Sequence, residues 1–574
     1  MIRTQNPFRS IPNGLHDCGP RNAYLPRRSG GPPMPETSPD VLTVLENETV
    51  AHTFVLRPSM ASYLGLHEYD GLVPDLARES TDAWIRTARG LLDRLHALPE
   101  PDLPPARRLD RNLLRLLLEG NLFDLEGTRE LDRNPMVYLF QPDLTNYIAR
   151  DYAPVADRVA SIVRVLASVP KLLEAAKHRL EPVLPRAFVT LSIQIGSGLP
   201  SHFAEAEAFA ATGSETLRQE VHRAREVAGA AVAAFVDWLR TDRLPRATDD
   251  FALGKERFQR LLWVREGLTM SVDEVLRRGR EDLKRNQDRL AEIAQREGVP
   301  VDQLVARLYE KHPSAEELIP LVERLTNDIR EFVRTKGLVT IPEPEHCHVR
   351  ETPPWARDLW TAAMNSPGPF EKPVDGIYWV TSVDPKWTAR QTDEWMRTLN
   401  YAMLKNTTVH EVWPGHYLQA LHFRRTNQSL ARKVWFSYSF IEGWAHYCEL
   451  AALEAGFDGR STSAEVTQLH DALLRDCRLI ASIGMHTQGM SVADAARLLR
   501  TEAHLEEVHA QREAIRGTYN PEYFCYTLGK LAILDVRSKY LATKYGNSVR
   551  SFHDALLGFG TPPIGFLDPL LASA

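Results

Sequence analysis

A Pro-Gly pair between two histidines, in His410-Glu411-Val412-Trp413-Pro414-Gly415-His416, rules out the single straight helix that the neighbouring residues would otherwise favour. Four residues advance an α-helix by about 40° beyond a full turn, so histidines at i and i+4 share a face; six residues leave them about 240° apart. Pro414 has no N–H to give the carbonyl of His410, and its ring crowds that carbonyl. Gly415 can adopt backbone angles that other residues avoid. The segment Thr408–Gln419 must therefore bend. Either a bulge swings His416 back beside His410, or a turn joins two helices whose histidines are incidental.

The residue types favour the first reading. In H-E-x-x-H helices two His bind Zn²⁺, and the Glu beside the first takes a proton from water. A third ligand has to come from elsewhere, and Ser437–Leu450 offers one: Glu442, His446 and Glu449 fall at i, i+4 and i+7 on one helical stripe. Trp444, Tyr447 and Leu450 lie between them, and an ionisable stripe among apolar side chains is costly unless paired or metal-bound. Glu442 is the expected third ligand, completing the two-His, one-Glu set of thermolysin-type zinc. His446 and Glu449 are expected to orient His410 or His416. His446 as the ligand in place of His416 stays open.

These two segments resemble the domain-of-unknown-function 885 family, zinc metallopeptidase-like proteins marked by H-E-x-x-P-G-H and E-G-W-A-x-Y-x-E. Gly484-Met485-His486-Thr487 and Gly517–Lys530 are similar to two further elements of one branch of that family. The resemblance spans about residue 40 to the C-terminus, with its specific part at 408–530. It implies a mainly α, gluzincin-like fold of two helical lobes around a cleft, with a small β element beside the zinc helix. It also implies one Zn²⁺ held by His410, His416 and Glu442, and Glu411 as general base for peptide hydrolysis. The expected substrates are short peptides, cleaved in a carboxypeptidase- or dipeptidase-like manner; a zinc-dependent amidase or deacylase acting on a small non-peptide amide would use the same set. Trp413, where many relatives carry a smaller residue or Tyr, bears on pocket shape.

Hydrolysis through a metal site needs donors aimed at the oxyanion, a role that Tyr and His commonly fill. Tyr526 is the first choice and His486 the second. Arg516, Tyr523, Lys530 and Tyr378 are the candidate substrate contacts, and Arg516 or Lys530 could hold a substrate carboxylate. By contrast His346 and His348, two residues apart on one strand face, have no acidic companion within that face's pattern, so they and His422 are read as structural.

Composition narrows the classes. The 574 residues, 43% hydrophobic and 25% charged, are globular and exceed one compact domain. A net charge of −6 offers no basic surplus for nucleic acid, and no apolar run approaches the ~20 residues that span a bilayer. Five scattered cysteines with no C-x-x-C pair point to reduced thiols and a cytoplasmic location; homodimer formation is left open.

Residues 1–39, rich in Pro, Gly, Arg and Ser, are expected to be disordered, with Met34 a candidate start. The remainder, 40–574, divides into an N-terminal lobe to about 335 and a catalytic lobe from about 336. Helices are expected from about Leu76 onward, with capping boxes at Ser271/Glu274 and Ser314/Glu317 and a buried core helix over Val227–Val236. Strands are expected at Leu338–Ile341 and Gly376–Val383. By the family analogy, the second is the edge strand that would pair with substrate.

Overall fold

The computed structural model describes residues 40–572, apart from 354–356, 358–359, 426–427 and 544–547. The expected disordered arm and the candidate start at Met34 lie outside the described residues. The architecture is mainly α, with one three-stranded sheet.

Helices begin earlier than expected, at α1 (Val41–Leu56), where Asp40 caps the N-terminus by accepting from the Thr43 N–H. The N-terminal half continues through α2 (Arg78–His96), α3 (Pro105–Leu122), α4 (Val155–Arg179), α5 (Arg186–Ala211) and α6 (Glu215–Trp238). Within α6 the apolar run 227–236 is not buried all round: Ala228, Val232 and Phe235 face the core, while Val227 is exposed. One hydrophobic core gathers residues 42–247 and takes in Ala431, Val434 and Trp435.

The second core runs from Phe258 to Leu567 and also includes Phe123. The cores therefore divide near residue 250. The lobe boundary expected near 335 is corrected: α7 (Lys255–Glu266), α8 (Val272–Glu297) and α9 (Leu318–Lys336) pack with the C-terminal helices. Ser271 caps α8, and Gly298 ends it in the left-handed region at φ 67°. Ser314 and Glu317 exchange reciprocal hydrogen bonds one turn ahead of α9.

The sheet comprises β1 (His346–Glu351), β2 (Ala362–Asn365) and β3 (Asp375–Val380) in the order β1-β3-β2. Residues 338–341 form no strand; they connect α9 to the sheet through a bend at Val339. β3 is central, parallel to β1 and antiparallel to β2, so both of its backbone edges are taken. The substrate-pairing role expected of it is excluded by that pairing.

Beyond the sheet come α10 (Tyr401–Glu411), α11 (His416–Arg425), α12 (Tyr438–Glu454), α13 (Thr462–Thr487), α14 (Glu507–Tyr519) and α15 (Cys525–Leu541). α12 and α15 cross at two glycines: a Cβ on Gly443 would lie 2.4 Å from Gly529 Cα, and one on Gly529 would lie 1.7 Å from the Ser439 carbonyl oxygen. The glycines of both motifs thus serve close backbone packing. Among the described residues, no helix is long and apolar enough to cross a membrane.

Candidate metal centre

The H-E-x-x-P-G-H segment is two helices rather than one bulged helix. Asn400 caps the start of α10, which ends at Glu411; residues 412–415 turn, and α11 begins at His416. The Trp413 N–H reaches back to the Thr408 carbonyl and the Gly415 N–H to that of Val409, at 3.3 and 3.1 Å, so the turn folds tightly against the last turn of α10. Gly415 is required for space and not for unusual angles. Its φ is not positive, but a Cβ there would sit 1.7 Å from the His410 carbonyl oxygen. The buried Trp444 indole donates to the Pro414 carbonyl at 2.9 Å, which fixes the turn to α12.

That turn places the His410 and His416 rings edge to face, 4.8 Å between centroids. Glu442 Oε2 from α12 lies 3.5 Å from His410 Nε2 and 3.4 Å from His416 Nε2. Three donors at zinc bond lengths of ~2.0–2.1 Å in a tetrahedron would stand about 3.3–3.4 Å apart, so these separations fit one ion. The three side chains are mostly buried, with Glu442 the most open to solvent.

Outer partners set the protonation of this group. The His410 Nδ1–H donates to Glu449 Oε1 at 2.7 Å, which turns its Nε2 toward Glu442 and His416. Arg475 from α13 in turn holds Glu449 at 3.0 Å. Burial opposes ionisation of Glu449, yet the Arg475 and His446 charges and the hydrogen bonds from His410 and His446 hold its carboxyl well below the usual range. Glu442 is likewise held low against its burial by His416 and His410. Burial works to lower the His410 pKa, but hydrogen bonds to Glu442 and Glu449 carry it up to about 9. A cation entering the group would therefore displace a proton.

The other expected residues separate into three sets. Glu411, at the end of α10, is buried and stands within electrostatic reach of the Tyr378 phenol. Tyr526 on α15 is half-buried; burial and the neighbouring Glu442 carboxylate push its hydroxyl up to about 12. Its ring packs under the Arg475 and Arg478 guanidinium groups at 5.5 and 5.1 Å. Arg516 is half-buried and hydrogen-bonds Tyr526, so it belongs to the same neighbourhood.

Other candidates are interior. Lys530 is 3% exposed and paired with Asp282 at 2.6 Å, so it is not free to hold a substrate. Tyr523 is fully buried against Gly517. His486 Nε2 is bound to the Gly517 carbonyl at 2.8 Å, with Phe251 and Phe258 against the ring, which makes it a core residue and not an oxyanion donor. Tyr378 is fully buried on the central strand, with its hydroxyl 3.4 Å from that of Thr408. Trp413 is core as well, packed on Tyr417. His446 touches neither histidine of the group: its Nδ1 faces Glu449 Oε2 at 3.2 Å, so it supports the supporter. His422 bonds the Thr340 carbonyl, in keeping with a structural role.

Arg475 was missed from sequence. Asp471, Arg475 and Arg478 repeat the i, i+4, i+7 spacing of Glu442, His446 and Glu449 on another largely apolar helix, which was the available signal.

The bacterial family of proteins of unknown function, DUF885, matches residues 58–571. No curated protein matches the chain. A solved structure from Shewanella oneidensis, a candidate lipoprotein of unknown function, is similar with TM-score 0.75 at 22% identity, covering 92% of this chain and 99% of that one. A candidate lipoprotein from Colwellia psychrerythraea is similar with TM-score 0.77 at 17% identity, covering 93% and 98%. These likenesses concern the fold.

Proposed function

The chain belongs to the DUF885 family, which is described by no activity, and from its site we propose zinc-dependent hydrolysis of amide bonds in short peptides. The observation that carries this reading is the convergence of His410 Nε2 and His416 Nε2 on one Glu442 oxygen, at 3.5 and 3.4 Å, with Glu411 next to His410 along the chain. A zinc ion held there supplies Lewis acidity and a more acidic water. Glu411 takes a proton from the attacking water and returns it to the leaving amine. Glu449 and Arg475 keep His410 in the tautomer that presents Nε2. Tyr526 donates to the developing oxyanion, and Arg516 beside it offers a cation for a substrate carboxylate, which favours cleavage next to a free C-terminus.

A small non-peptide amide would engage the same residues, and one experiment decides between the two: a dipeptide, short-peptide and acyl-amide library read by mass spectrometry with zinc-loaded protein. Hydrolysis of peptides that is lost in His416→Ala supports the reading. Turnover that persists in metal-stripped protein overturns it. A cytoplasmic location, proposed from buried free thiols at Cys448, Cys477 and Cys525, is a separate question; the lipoprotein descriptions belong to the two solved relatives.

A further inference from the structure

The sheet carries a second group of metal-capable side chains. Successive strand residues alternate faces, so His346 and His348 project from one side of β1 with Cys347 between them on the other. The parallel register sets His346 opposite Asp375 at the start of β3, which delivers the acidic companion that sequence distance concealed. One Asp375 oxygen, Oδ1, lies 3.3 Å from His346 Nδ1 and 3.2 Å from His348 Nε2. The two rings stand edge to face with centroids 5.0 Å apart. As in the buried group, these separations are close to the ~3.3–3.4 Å expected between donors sharing a tetrahedral ion.

The backbone beneath is fixed. The Tyr417 hydroxyl accepts the His346 N–H at 2.6 Å and donates to the Val374 carbonyl at 3.1 Å, bridging the two strand ends from α11. All three donor side chains open to solvent, at 71%, 42% and 44% exposure, so water can complete the coordination.

We infer that His346, His348 and Asp375 form a second, surface site for a borderline divalent cation such as Zn²⁺, Co²⁺ or Ni²⁺, clipping β1 to the start of β3. Two imidazoles make it unsuited to Mg²⁺ or Ca²⁺, which take oxygen ligands. The site shares no residue with the His410 group, and it stands whether or not that group is catalytic.

Metal-stripped full-length chain titrated calorimetrically with Zn²⁺, and separately with Mg²⁺, tests it in the parent, His348→Ala, Asp375→Asn and His416→Ala. The donors are solvent-facing, so His348→Ala and Asp375→Asn should keep the parent's far-UV circular dichroism and its melting temperature in chelator. The expected result is two Zn²⁺ per chain in the parent and none of the Mg²⁺. His348→Ala and Asp375→Asn should each lose one Zn²⁺ event, weakened at least tenfold, while the other is unchanged; His416→Ala should lose the complementary event. A parent that binds one ion, lost in His348→Ala and kept in His416→Ala, supports the surface site while removing the hydrolase reading. One ion lost only in His416→Ala overturns the surface site and leaves the hydrolase reading standing. Two ions in both the parent and His348→Ala overturn it as well.

Discussion

The His410–His416–Glu442 and His346–His348–Asp375 groups have nearly the same donors and nearly the same spacing, yet their surroundings differ. The first is mostly buried, and behind it the Glu449–Arg475 ion pair and the His446 hydrogen bond to Glu449 set the tautomer and orientation of His410. The second stands in solvent, its histidines oriented by the strand and by one shared carboxylate. The difference teaches that donor type and spacing identify a cation site, whereas burial and outer partners suit it to chemistry by fixing geometry and excluding water.

The strongest way to break the comparison is to close the turn that makes the buried group. Gly415→Ala places a Cβ on the His410 carbonyl, so we expect a loss of about 3 kcal/mol or more in stability and loss of the tighter zinc event, with the surface event unchanged. Thermal melts and zinc titration check this; parental zinc binding would mean that the tight turn is not what positions His416. Glu411→Gln should then separate binding from reaction. Zinc affinity should hold while kcat falls by about 10²–10⁴, and surviving turnover would remove Glu411 as the base.

Acid stability sharpens the contrast between buried and exposed histidines. His553 donates from Nδ1 to the Leu338 carbonyl and accepts at Nε2 from the Tyr447 hydroxyl, so it is satisfied only when neutral, and burial pulls its pKa down to about 4. Its unfolded value is near 6.5. Between those values the unfolded chain binds the extra proton, so the stabilisation is complete above about pH 6.5 and is lost as the pH falls toward 4, by up to ~3 kcal/mol. Denaturant titrations at pH 7 and 5 on the parent and His553→Gln should show a shallower acid loss in the variant. Glu449→Gln carries the smallest effect, about 10–100-fold in zinc affinity at the buried group and none at the surface group; equal weakening of both events would deny Glu449 its specific role.

Much of this was legible along the chain because it is local. Pro414-Gly415 announced a bend, the i, i+4, i+7 stripe of Glu442, His446 and Glu449 announced an inward polar face, and Ser271 and Gly298 marked both ends of α8. The family motifs brought three candidate donors together on paper, and the fold brings the same three within 4.8 Å. Residues read by type alone fared differently. Lys530, Tyr523 and His486 belong to the same set of family motifs as Tyr526, but each is held in the interior, on Asp282, against Gly517 and on a backbone carbonyl.

What the sequence determined by itself is therefore the helical class, the break in the H-E-x-x-P-G-H segment and the inward polar stripe of Glu442, His446 and Glu449, since each follows from periodicity, from a missing N–H or from the cost of a charge among apolar neighbours. Only the tertiary structure decided which strand is central, where the cores divide, that Gly415 is there for space, and that Asp375 meets His346 and His348. Those facts depend on pairing and packing between segments tens to hundreds of residues apart. A strand's register and a helix's crossing point are set by the partner surface, which no local window contains.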